Sequence, residues 1–149
     1  MSATSDISAS TAGRIAIARD FLLNIGRGGI DPRHYADDLT AWSPLMGMIG
    51  REDYLPKLRT VGEVWTRPLA VTIDTVTAQD DRVVIQARSQ GLLYDGREYA
   101  NTYLFLVEFD AQDRIRHVRE YFDPDPVRDI LQPAVARWRS ERLGNPGLS

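Results

Sequence analysis

The sequence contains no cysteine. That excludes disulfides, thiol nucleophiles and sulfur-ligated zinc together. Histidine is scarce, with only His34 and His117, and no His/Asp/Glu spacing resembles a metal site. No metal and no organic cofactor is therefore expected. Long hydrophobic runs are missing too: the longest, Tyr103–Val107, is far too short to span a bilayer. No basic stretch followed by an apolar one opens the chain, so a secretory signal is not indicated and a cytoplasmic location is expected. Excess positive charge is absent, with a net charge of −3 at pH 7. This argues against nucleic acid, whose phosphates need a clustered basic surface. Arg137, Arg139 and Arg142 sit close together but are interrupted by Glu141, and read as a solvated helical face rather than an anion site. There is no Gly-x-Ser-x-Gly elbow. Gly26-Arg27-Gly28-Gly29 lacks the preceding strand and the lysine of a phosphate loop, which makes it a helix stop.

What is present suits one soluble globular domain spanning 1–149: 149 residues, 43% hydrophobic and 26% charged. Met1–Ser10 is rich in Ser, Ala and Thr and is expected to fray. From Thr11, Ile15, Ala18, Phe21, Leu22 and Ile25 recur at helical spacing up to the Gly26 stop. Asp31-Pro32 reads as the cap and first position of a short helix through about Asp38. Leu39–Gly47 is a strand candidate that Pro44 confines to an edge or turns early. Gly50 opens another helix with a stripe of Leu55, Leu58, Val61 and Trp65, which Pro68 stops.

Beyond Pro68 the period changes from 3.6 to 2, with Leu69, Val71 and Ile73 alternating up to a turn at Asp80-Asp81. Strands follow at Val83–Tyr94, Arg97–Phe109 and Arg114–Phe122, and Asp95-Gly96 predicts a type I′ hairpin turn. Asp125 and Pro126 then read as the start of a terminal helix carrying Val127, Ile130 and Leu131, with a helical tail over 133–149. Helices first and a long antiparallel meander after them give an α+β fold, with the helices on one sheet face only.

The chemistry concentrates in Val118-Arg119-Glu120-Tyr121-Phe122-Asp123-Pro124. On a strand, Val118, Glu120 and Phe122 point one way, and Arg119 and Tyr121 the other. If the first set faces the helices, Glu120 is a carboxylate among apolar neighbours. Such a group needs a proton or a partner, and a desolvated Glu of raised pKa is suited to acid or base work near neutrality. The alternative is an exposed Glu120, or one paired with Arg88. Gln86, Arg88 and Gln90 share one strand face, informative if that face is core and trivial if it is solvent. Tyr99, Asn101, Tyr103 and Phe105 share another, compatible with a hydrogen-bonding pocket wall or with an aromatic ladder. Trp42 and Tyr54 are candidates for the pocket mouth, with core packing the alternative.

Several of these stretches together resemble SnoaL-like proteins of the nuclear-transport-factor-2-like, or ketosteroid-isomerase-like, superfamily. They are Val84, Arg88-Ser89-Gln90-Gly91, Asp95-Gly96-Arg97, Tyr99-Ala100-Asn101-Thr102-Tyr103, Asp113-Arg114-Ile115 and Arg119 through Pro124, with Gly50-Arg51-Glu52 entering a helix. The resemblance implies a cone-shaped curved sheet with N-terminal helices packed on its concave face and a deep pocket between them. It also implies a homodimer through the outer face, to which Arg119 and Tyr121 would turn. In related polyketide cyclases and phenazine-biosynthesis proteins, an acid at the place of Glu120 moves protons. Limonene-epoxide hydrolases have an Asp there, joined by an Arg-x-Asp pair. Arg88-Ser89-Gln90 lacks that second carboxylate, and Thr40 and Trp42 stand where those enzymes carry Tyr and Asn.

The expected function is proton transfer, as in isomerisation or aldol-type cyclisation, on a small hydrophobic carbonyl-bearing molecule. Glu120 and Arg88 would act catalytically, with Trp42, Tyr54, Gln90, Asn101, Tyr103 and Phe122 around the substrate. A non-catalytic small-molecule-binding or dimerisation module is the alternative. An epoxide-hydrolase-like enzyme with an altered site is a second.

Overall fold

The computed structural model describes residues 9–143. Helix α1 (Ala9–Leu23) buries Ala18, Phe21 and Leu22, three residues at helical spacing. The expectation of a frayed start falls on residues 1–8, outside the described residues, whereas Ala9 and Ser10 already belong to α1. The helix foreseen after Asp31 is a single 3₁₀ turn, Pro32–His34, capped by the Asp31 carboxylate accepting from Arg33 N–H at 2.9 Å. It goes no further because Tyr35 pairs with Ile115, and strand β1 (Tyr35–Ser43) begins there. Long-range pairing overrides local helix signals.

Pro44 turns the chain early, and β2 (Gly47–Gly50) folds back on β1. Helix α2 (Arg51–Glu63) buries Tyr54 and Leu58. Arg51 anchors its start to β1, donating to the Tyr35, Ala36 and Pro32 carbonyls. Trp65 is not on this helix. It opens β3 (Trp65–Gln79) opposite Leu93, its ring tilted over Tyr99 at 5.8 Å between centroids. Pro68 is accommodated inside β3 because that strand forms one edge of the sheet.

Strands β4 (Arg82–Leu93), β5 (Glu98–Phe109) and β6 (Ile115–Phe122) complete a six-stranded sheet in the order β2-β1-β6-β5-β4-β3. All pairings are antiparallel except β1 with β6, which is parallel. The Asp95-Gly96 hairpin forms, but not as type I′. Only Gly96 has positive φ (88°), and Gly96 N–H donates to Leu93 C=O, the pattern of a longer loop with a glycine bulge. Register shifts along β3 bend the sheet. Its concave face takes α1 and α2, whose Phe21, Leu22, Tyr54 and Leu58 pack with Ile85, Phe105, Val107 and Val118. Each such fully buried aliphatic or aromatic side chain contributes roughly 1.5–3 kcal/mol.

After β6 the chain turns helical one dipeptide earlier than expected. Asp123 caps it, accepting from Asp125 N–H, and Pro124 takes the first position. The single turn α3 (Pro124–Pro126), a π-helical stretch Val127–Leu131 and helix α4 (Gln132–Leu143) follow in continuous succession. The rest of the expected tail, 144–149, lies outside the described residues. No helix among the described residues is long and apolar enough to cross a membrane.

The helical layer sits tightly on the loop after α1. A Cβ on Gly62 would meet Gly28 Cα at 2.7 Å and Arg27 C at 2.8 Å, whereas one on Gly13 would meet nothing within 4 Å. Gly62→Ala should destabilise the fold by about 1–3 kcal/mol. Gly13→Ala, mid-helix and unobstructed, should stabilise it by up to about 1 kcal/mol. Urea midpoints of the two variants should therefore move in opposite directions.

Candidate functional site

A cavity of about 550 Å³ opens between α2, one end of the concave sheet face and the C-terminal helix. Leucine, isoleucine, methionine and valine side chains make half of its wall. Glu120 reaches it from β6 because Val118 on the same strand face is buried in the core, while Arg119 and Tyr121 on the other face are exposed. The surface that Glu120 retains is cavity wall. Among the described residues no hydrogen bond or ion pair reaches its carboxylate, so nothing offsets the loss of water around the charge. Burial accordingly raises its pKa from 4.5 to about 7.

Three tyrosines surround this carboxylate closely enough to feel its charge: Tyr54 from α2, and Tyr99 and Tyr103 from β5. Burial, the largest cause for each, raises their pKa values, so all three stay protonated and can donate. Asn101 sets the direction of one proton. Its Nδ2 donates to Tyr99 Oη at 2.9 Å, leaving the Tyr99 hydroxyl hydrogen for Tyr103 Oη at 3.5 Å or for a molecule in the cavity. Tyr103 Oη in turn shares a 2.7 Å hydrogen bond with Ser89 Oγ. A base, a set of hydroxyl donors and apolar walls are thus brought together, which is what proton removal next to a carbonyl requires.

Of the residues expected at the site, Glu120, Tyr54, Tyr103 and Phe122 line the cavity. The others do not. Arg88 and Gln90 are exposed on the outer sheet face, because Ala87 and Ser89 take the inward positions of β4. Arg88 bonds Asp74 there, at 3.2 Å. Trp42 also points outward, since Ala41 and Ser43 are its buried neighbours, and its ring lies 5.1 Å from that of Tyr121. Asn101 is buried behind the wall with its amide fully engaged. Its second Nδ2 hydrogen goes to Asp123 C=O, and its Oδ1 accepts from the N–H groups of Thr102 and Asp123. It positions rather than contacts.

Tyr99, read with Asn101 and Tyr103 as a possible pocket wall but not among the expected substrate contacts, lines the cavity as well. Sequence reasoning missed the role of the C-terminal helix, whose Leu131, Gln132, Val135, Ala136 and Arg139 close one side of the cavity. The spacing of Leu131, Val135 and Trp138 was the available signal. The three tail arginines are exposed as expected, but each has a place. Arg137 bonds Asp95, Arg142 lies over the Trp138 ring, and Arg139 borders the cavity.

Residues 29–118 match the SnoaL-like domain family, well over half of the 149-residue chain. The protein belongs to that family. Solved structures with the same fold include a pinacolase of Penicillium brevicompactum, 14% identical, with a TM-score of 0.71 over 91% of this SnoaL-like protein and 99% of that chain. An LEH-like epoxide hydrolase of M. tuberculosis is 18% identical (TM-score 0.61, covering 87% and 95%). A protein with a ketosteroid-isomerase-like fold from Catenulispora acidiphila, solved with trimethylamine, is 19% identical (TM-score 0.61, covering 74% and 88%). No curated protein matches the chain. These likenesses establish the α+β fold with helices on the concave side of a curved sheet.

The raised pKa of Glu120 has a consequence for stability. Between pH 4.5 and about 7 the folded chain keeps a proton that the unfolded chain has released. Stability should therefore fall as pH rises through that window. Glu120→Gln removes the effect, so its urea midpoint should gain on the wild type as pH climbs from 4.5 and level off above about 7.

Proposed function

We propose that this SnoaL-like protein is an enzyme of small-molecule metabolism that moves a proton on a hydrophobic carbonyl-bearing substrate, as in isomerisation or aldol-type cyclisation. The observation that carries this reading is the unpaired Glu120 carboxylate inside an apolar cavity, beside protonated tyrosines. With its pKa near neutrality, Glu120 is ionised often enough to accept a proton and basic enough to hold it. Tyr103 and Tyr99 donate toward the oxygen on which negative charge develops, with Tyr54 beside them. Phe122, edge-on to Tyr103 with 6.5 Å between ring centroids, supplies part of the apolar wall. Epoxide hydrolysis fits less well, because Arg88 and Gln90 face away from the cavity and neither can assist a water-activating Glu120.

Exchange of the α-hydrogens of 2-tetralone in D₂O, followed by NMR, tests the reading without knowledge of the natural substrate. Catalysed exchange should rise with pH through about 7 as Glu120 ionises. It should drop by roughly 10²-fold or more in Glu120→Gln, the size expected for loss of a general base. Tyr103→Phe should slow it with little effect on the pH midpoint. Exchange unchanged in Glu120→Gln rules the proposal out and leaves a binding module.

The same reading includes a homodimer through the outer sheet face. Met48 (55% exposed), Leu104 (45%) and Tyr121 (43%) leave an apolar stripe there, with Trp42 between Met48 and Tyr121. Such a stripe is a natural interface. Sedimentation should give a dimer for the wild type and a monomer for a Leu104→Lys/Tyr121→Lys variant with unchanged circular dichroism.

A further inference from the structure

The cavity wall carries three charged side chains: Glu120 within, and Lys57 and Arg139 on exposed positions at the opening. Lys57 leaves α2 one turn beyond buried Tyr54, and Leu58 and Val61 beside it are also wall. Arg139 leaves α4 one turn beyond Val135 and Ala136, wall residues as well. Two helices thus each present apolar wall to the cavity with one exposed cation beside it. Among the described residues neither cation is held by a carboxylate. Its neighbours on α4 are occupied, Arg137 by Asp95 at 2.5 Å and Arg142 by the Trp138 ring at 3.6 Å. A neutral apolar occupant would crowd Lys57 and Arg139 without giving either a counter-charge. An occupant with an anionic end would give them charge-assisted hydrogen bonds.

Taking the cavity to be the substrate site, as in the reading above, we propose that its substrate is an amphipathic anion. A carboxylate sits at the mouth between Lys57 and Arg139, an apolar body fills the chamber, and the carbonyl-bearing end reaches Glu120 and the tyrosines. The two cations then do more than add affinity. They fix which end of the molecule enters first, and so which carbon meets the base.

A matched pair of dyes tests this. 8-Anilinonaphthalene-1-sulfonate and N-phenyl-1-naphthylamine share one aromatic frame, differ by an anionic group, and both brighten in apolar surroundings. Titrated into the full chain at low salt, the anion should bind roughly tenfold or more tightly than the neutral dye. Raising ionic strength should narrow the gap, since charges at a mouth are screened. A Lys57→Gln/Arg139→Gln variant should lower the anion to the affinity of the neutral dye and leave the neutral dye unmoved. Arg137→Gln, which removes the same charge outside the cavity, should leave the anion's advantage intact. Equal binding of the two dyes to the wild type overturns the proposal. So does an anion affinity untouched by the double variant, or one lowered equally by Arg137→Gln. If selectivity is absent while α-hydrogen exchange on 2-tetralone persists, the anion site falls and the proton-transfer reading stands. If neither dye binds, the anion site falls, and α-hydrogen exchange on 2-tetralone decides the proton-transfer reading by itself.

Discussion

One buried side chain, Asn101, brackets the junction between the sheet and the final helix. Asn101 spends its whole amide there: Oδ1 accepts from Asp123 N–H, and Nδ2 donates to Asp123 C=O and to the Tyr99 hydroxyl. Because Asn101 is buried, an unmade bond at this point would cost about 1–3 kcal/mol, so the bracket is held closed. It fixes where the chain leaves β6 and the heading on which α3, the π-helical stretch and α4 set off. Arg97 donating to Ile130 C=O, and Arg137 meeting Asp95, secure the same segment further along. Without that heading the concave face would be an open trough. With it, the trough has a far wall.

The enclosure explains the electrostatics within. A carboxylate without partners is expensive to ionise away from water, and the protein meets that cost by letting Glu120 keep its proton up to neutrality. Tyrosine hydroxyls avoid the same cost by remaining neutral and bonding one another through Ser89, Tyr103, Tyr99 and Asn101. Below about pH 7 the interior of the site is therefore largely uncharged, and its cations are confined to the rim where water still reaches them. Carboxylate and cations thus occupy different depths of one chamber.

How much of this could be read in the residues follows from how local each determinant is. The direction of Glu120 was legible because alternation along β6 is a property of one strand, and Val118 and Phe122 declare which face is oily. The parity of β4 was equally plain, but parity alone does not say which set faces in. Arg88 and Gln90 look outward because Ala87 and Ser89 meet the core, a fact of packing across strands. Trp42 misled for a related reason, since a large aromatic suggests a core and here covers Tyr121 on the outer face. The helix expected after Asp31 and the helical place expected for Trp65 both gave way to strand pairing with distant partners, Ile115 and Leu93. The C-terminal helix was seen as an element, but its role depends on the Asn101 bracket, which joins residues 22 apart in the chain.

The parallel pairing of β1 with β6 ties together the two ends of the architecture, with Thr40 bonded to His117 across 77 residues of intervening chain. β3 through β6 can zip up as successive hairpins, each closing a short loop. β1 must wait until β6 exists, and carries β2 and the start of α2 with it. During synthesis the first-made strand is therefore the last to find its place, and the nascent chain holds it unpaired while the meander emerges. Since the cavity needs both α2 and the sheet end beyond β6, the chamber closes only when β1 docks, and its walls are completed together with the fold.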